Sequence, residues 1–145
     1  MKKSIKMILG TSVLSLSLLA SAIPGFASTV TEQNASGGWS ESGGYYTNSP
    51  VGISAFSSTS PEEHHGERKS RDVNPGGEPV YEYASYGYTV WQGEYHYTTA
   101  QIEKTNGTVK TTSGRQWGTG GTTALSPYYL PGIFENIEAR TYWGN

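Results

Sequence analysis

The sequence predicts an all-β fold, a small antiparallel β-sandwich or open barrel. Three observations predict it. Tyr (11) and Gly (19) are abundant among many Thr and Ser residues, while Leu is scarce, a composition that favours strands and turns over helices. Alternating Tyr-rich runs begin at Val80. Two such runs flank Asn106-Gly107, a dipeptide that suits the tight turn of a β-hairpin.

The first element is not part of that fold. Lys2, Lys3 and Lys6 precede the uncharged apolar run Met7–Ala20, and a short segment with Pro24, Gly25 and Ala27 follows. This is the pattern of a cleaved signal peptide, residues 1–27, formed as a helix and cut after Ala27. The apolar run is shorter than the roughly 20 residues that a bilayer span needs. The mature chain, Ser28–Asn145, would be secreted, with no stable membrane insertion after cleavage. It keeps seven basic against twelve acidic side chains, a formal charge of −5. That charge argues against a nucleic-acid partner and against lysis of anionic membranes by charge alone. With no cysteine, the domain must hold together by packing and hydrogen bonding, and thiolate chemistry is excluded.

Residues 28–44 are polar and glycine-rich, with Trp39 the only large apolar anchor, and read as a flexible N-terminal segment before a single β-domain at 45–145. A short strand is expected around Val51–Phe56. Residues 59–79 hold three prolines and three glycines without apolar periodicity, and read as a long loop. Val80–Trp91 suggests one or two strands bent at Ser85–Gly87. Glu94–Lys104 and Thr108–Trp117 form the hairpin, and a two-residue turn at Asn106-Gly107 would set Glu103 opposite Lys110. Thr122–Leu125 is a further short strand candidate. In Ile133–Trp143, residues Ile133, Ile137, Ala139 and Trp143 share one face with Glu135 and Thr141, the mark of a half-buried terminal strand.

The densest chemistry is "EEHHGERKSRD", residues 62–72. His64 and His65 are adjacent, so on an extended chain they point to opposite sides and do not readily share a metal ion. No nucleophile elbow, zinc-helix pattern or calcium-loop spacing is present. Glu82, Glu94 and Glu103 lie in strand-like stretches, where charged residues normally occupy the wet face of a sheet. The expectation is a non-enzymatic protein without cofactor or metal, whose charged stretch is a solvated connection. The aromatic surplus is more informative. Some of these rings must build the core of a chain so poor in Leu. Rings left outside would form an amphipathic platform for a surface glycan, a cell-wall precursor or a protein partner. Candidate surface residues are Trp39, His64, His65, Tyr81, Tyr83, Tyr88, Trp91, Tyr95, Tyr97 and Trp117.

Three segments carry a family resemblance. "GGWSESGG" (Gly37–Gly44), "GISAFSS" (Gly52–Ser58) and "HHGERKSRDV" (His64–Val73) resemble, in order and approximate spacing, successive stretches of lactococcin 972-type bacteriocins. The chain is longer than a typical member, and a Tyr-rich half follows the resembling segments. The resemblance implies a secreted antibacterial β-sandwich that recognises the cell-wall precursor lipid II rather than forming pores. The alternative is an extracellular carbohydrate- or protein-binding matrix module without toxicity.

Overall fold

A computed structural model describes residues 35–48 and 60–145. The residues read as a signal peptide, the strand expected at Val51–Phe56 and the family-like segment Gly52–Ser58 lie outside these.

The described chain is all-β. Seven strands occur in it: β1 (Ser36–Ser40), β2 (Gly44–Asn48), β3 (Glu63–Asp72), β4 (Tyr81–Lys104), β5 (Val109–Thr112), β6 (Gln116–Leu125) and β7 (Ile137–Gly144). They form one antiparallel sheet in the order β2-β1-β7-β4-β3, with β5 and β6 along the other side of β4, curled into a half-barrel. This is the antiparallel sandwich-like, open-barrel architecture that the composition predicts.

β4 organises the sheet because it is a single strand of 24 residues rather than two or three short ones. Its first half pairs with β3 and its second with β7, while β6 runs beside both halves. Between Trp91 and Tyr95 the register with β6 slips, and Gln92, Gly93 and Glu94 are left over. Gly93 takes φ +82°, which its missing Cβ allows. A bulge of this kind bends a strand and increases its twist, so it brings the two halves of β4 face to face. It also changes the parity of the inward positions, from Ser85, Gly87, Thr89 and Trp91 before the bulge to His96, Thr98, Ala100 and Ile102 after it, all of them buried.

Two strands replace expected irregular chain. β1 occupies part of the segment read as flexible, and β3 occupies about half of the loop expected at 59–79. In β3 the apolar alternation that marks a strand is absent, because the inward positions are His64, Gly66 and Arg68, and Ser70 on the same side is exposed. The outward positions Glu67, Lys69 and Arg71 are charged and pair with neighbours, Lys69 with Glu67 and Arg71 with Glu82 at 2.6 Å. Charged side chains on an end strand also discourage further edge-to-edge pairing. β1 and β3 meet inside the curl, where a Cβ on Gly66 would come within 2.5 Å of the Trp39 ring.

The interior is small and polar. Trp91 and Trp143 meet edge to face, centroids 5.5 Å apart, and Ala35 closes the cluster. Much of the remaining interior is hydroxyl-bearing. Thr98 donates to Thr89 at 2.6 Å and lies 2.6 Å from the hydroxyl of Thr122. Buried hydroxyls are tolerated when paired, so this chain fastens strands through threonines where others use aliphatic packing.

The hairpin turn differs from expectation by one residue. Gly107 N–H donates to the Lys104 carbonyl, Lys104 N–H donates to the Thr108 carbonyl, and only Gly107 has positive φ. This is a three-residue loop, a type I turn closed by a left-handed glycine. Glu103 therefore faces Val109, and Lys110 pairs with Glu135 at 3.0 Å instead. The terminal strand starts at Ile137, not Ile133, which is 88 % exposed in the preceding turn.

Candidate functional site: an aromatic groove on the outer face

Beyond the bulge, Tyr95, Tyr97, Thr99 and Gln101 project from the outer face of β4 at the strand period. Tyr97 opposes Trp117 of β6, and the Trp117 indole leans across to stack on Tyr95. Tyr97 meets the same indole edge to face at 4.9 Å. The Arg115 guanidinium lies 4.4 Å from the centre of the Tyr97 ring. Tyr95 and Trp117 keep 63 % and 43 % of their surface exposed, a large apolar area for a side chain with nothing over it.

Next to these rings runs a groove of about 360 Å³, lined by Tyr97, Thr99, Gln101, Thr112, Arg115 and Tyr142. One wall is the corner between β5 and β6. Gly114 N–H and the Gln101 amide both donate to the Thr112 hydroxyl, and the Gln116 amide donates to the Ser113 carbonyl. Gly114 sits at φ +65°, the left-handed position that a corner this tight requires. The corner is thus held by side-chain hydrogen bonds together with the Ser113 N–H, which donates to the Ala100 carbonyl of β4 at 2.9 Å.

Two carboxylates support the floor. Glu103 and Glu138 oppose each other across β4 and β7 and are both buried, which corrects the expectation that Glu103 lies on a wet face. Glu103 accepts the Tyr142 hydroxyl and lies 3.6 Å from Arg140, while Glu138 accepts from Arg140 and from Ser42 at 2.6 Å. Burial and the Glu103 carboxylate together push the Tyr142 phenol well above its ordinary pKa, so Tyr142 stays protonated and donating. All four carboxylate oxygens are engaged within the wall, so the acids position Tyr142 and brace the strands.

The other sequence-singled residues separate into distinct places. His64 points inward, its ring nitrogens 2.9 Å from Thr89 and 2.8 Å from Thr141 hydroxyls. Burial, with the neighbouring His65, lowers its pKa to about 4. His65 points outward and stacks on Tyr88, whose hydroxyl donates to Glu63. Trp39 lies inside against Gly66. Tyr83 carries the Arg68 guanidinium 4.8 Å from its ring centre, and Tyr81 is exposed at the start of β4. Trp91 is fully buried and forms no part of any surface, because it continues the inward alternation of Ser85, Gly87 and Thr89 ahead of the bulge. Of the ten, Tyr95, Tyr97 and Trp117 come together beside the groove, while His65 and Tyr88 pair with each other elsewhere.

Arg115, Tyr142, Gln101 and Thr99 join them unanticipated, although the i, i+2 spacing of Tyr95, Tyr97, Thr99 and Gln101 is visible in the sequence. Among the described residues no group of three His, Asp or Glu side chains is placed to hold a metal ion. A smaller cleft of about 200 Å³ lies between Tyr45, Thr47, Glu63 and His64. No family model matches the chain, and no curated protein or solved structure shows significant similarity to it.

Proposed function

We propose that this is a secreted, non-enzymatic antibacterial protein that acts by holding a glycan-bearing component of the cell envelope, such as a cell-wall precursor, in the outer-face groove. The observation that carries this reading is the stacked, exposed Tyr95–Trp117 pair, joined through Tyr97 to a groove with both hydrogen-bonding and cationic walls. Sugars offer apolar C–H faces that lie flat on aromatic rings, with hydroxyls around the rim. Rings beside Gln101, Thr99, Thr112 and Tyr142 match that pattern. Arg115 adds a cation suited to the phosphate or carboxylate of an envelope precursor. The resemblance of Gly37–Gly44 and His64–Val73 to lactococcin 972-type bacteriocins supports the antibacterial part of the reading. The groove itself supports the binding part.

The test is to incubate the purified chain with isolated cell-wall sacculi and with lipid II, and to measure inhibition of growing bacteria in parallel. Binding and inhibition that are both lost in Trp117→Ala support the reading. Binding without inhibition leaves a glycan-binding matrix module, and no binding to either material removes the groove as the functional site.

A further inference from the structure

The most exposed apolar side chains of the described residues lie away from the groove. The chain between β6 and β7 ends in a four-residue turn, with Glu135 N–H donating to the Gly132 carbonyl at 3.0 Å. Its two central residues are Ile133 and Phe134, 88 % and 97 % exposed, and Leu130 just before them is 49 % exposed. Phe134 has φ +66°, alone among the non-glycine residues described. That geometry normally selects Gly or Asn, and for a bulky side chain it is an outlier. The position therefore carries two costs at once, a strained backbone and a ring presented whole to water. Strain of this kind persists where the surroundings hold it, and it points from an observed outlier toward function.

The surroundings do hold it. Glu135 accepts the Tyr129 hydroxyl at 2.7 Å and the Gly132 N–H at 3.0 Å through one oxygen. Its other oxygen pairs with Lys104 at 3.2 Å and Lys110 at 3.0 Å. The tip is thus a preformed apolar point standing on a base with two ammonium groups and one carboxylate, an excess of one positive charge in a chain that is negative overall.

We propose that the Leu130–Phe134 turn is a shallow membrane anchor. It lowers Ile133 and Phe134 into the boundary between headgroups and acyl chains of an anionic bilayer, with Lys104 and Lys110 at headgroup level. A second copy of the chain is a poor occupant, because two or three side chains fall well short of the about 800 Å² per partner typical of a stable interface. A bilayer needs no complementary shape, and it rewards apolar side chains flanked by cations. So small an anchor binds reversibly and does not span, which is compatible with a chain that is not stably inserted. The inference does not use the groove and goes beyond the glycan-binding reading.

The absence of cysteine makes the test direct. Ile133→Cys is labelled with an environment-sensitive fluorophore and mixed with vesicles of phosphatidylglycerol and phosphatidylethanolamine that carry no glycan, beside Thr123→Cys labelled on the exposed face of β6. A blue shift at position 133 and none at 123 is the expected result. In co-sedimentation, the double substitution Ile133→Ser with Phe134→Ser should lower vesicle partitioning at least tenfold, with the circular dichroism of the fold unchanged. No shift at position 133, or equal shifts at both positions, overturns the proposal. So does a shift that appears without vesicles as protein concentration rises, which would assign the tip to self-association. Because the vesicles lack glycan, failure here leaves the groove untested and is distinct from failure there.

Discussion

Trp117 opposes Tyr97 in the β4–β6 ladder, yet its indole stacks on Tyr95, centroids 5.3 Å apart and planes 14° from parallel. Both rings stay partly exposed on the outer face of the sheet, and the Arg115 guanidinium lies 5.9 Å from the centre of the Trp117 ring. Trp117→Ala removes that surface without opening the core. Affinity for a cell-wall glycan should fall about tenfold or more, equivalent to about 1.4 kcal/mol. Unfolding in urea should shift by no more than about 0.5 kcal/mol, as for surface sites generally. Isothermal titration and urea melts on the same preparations check both halves.

The two adjacent histidines should behave oppositely. His64 titrates at about 4 when folded, below its ordinary 6.5, because burial disfavours its charged form. The folded state then binds fewer protons than the unfolded one in that interval. Its contribution is complete above about pH 6.5 and is lost as the pH falls toward 4, and between pH 7 and 5 the loss amounts to about 2 kcal/mol. Urea melts at these two pH values should show a difference that shrinks by about that amount in His64→Gln. His65→Ala, which removes only a ring stacked outside on Tyr88, should leave it in place.

Gly66 allows β3 to pass against β1. A Cβ there would meet the Trp39 ring at 2.5 Å and the Thr141 hydroxyl at 2.7 Å, two groups fixed inside the curl. Gly66→Ala should cost about 2 kcal/mol of stability through overpacking. Gly121→Ala, where nothing lies within 4 Å of the added carbon, should cost far less in the same thermal melts.

Glu135 titrates at about 2, held down by the Tyr129 hydroxyl first, then by the Gly132 N–H and Lys110. What it adds to the turn is fully present above its ordinary value near 4.5 and is lost as the pH falls through about 2. Tyr129→Phe removes the largest cause, so the carboxyl midpoint read by carbon NMR should rise. An unchanged midpoint would show that the Gly132 N–H and the lysines hold the charge without the phenol.

Fold class was legible because composition and alternation report on backbone preference, and Tyr-rich β4 and the Asn106-Gly107 turn announce strands locally. β3 was not legible, because its inward face carries His64, Gly66 and Arg68, and its pairing with β4 is a long-range event that no local period encodes. The hairpin register was missed by one residue because Asn-Gly serves both a two-residue turn and the end of a type I turn with a left-handed glycine. The aromatic part of the site could be read from Tyr95, Tyr97 and Trp117. Trp91, at the same odd positions as Tyr95 and Tyr97, lies inside because it precedes the bulge at Gln92–Glu94 that turns those two outward. Arg115 and Tyr142 reach the groove through a corner and a distant strand, which only the folded chain brings together.

The most direct measurement is a residue-resolved NMR titration of the chain with a soluble cell-wall glycan fragment. Binding in the groove predicts concentration-dependent shifts at Tyr95, Tyr97, Gln101, Trp117 and Tyr142, with the Tyr45–His64 cleft unmoved. Absence of shifts at saturating fragment, or shifts confined to that cleft, would contradict it.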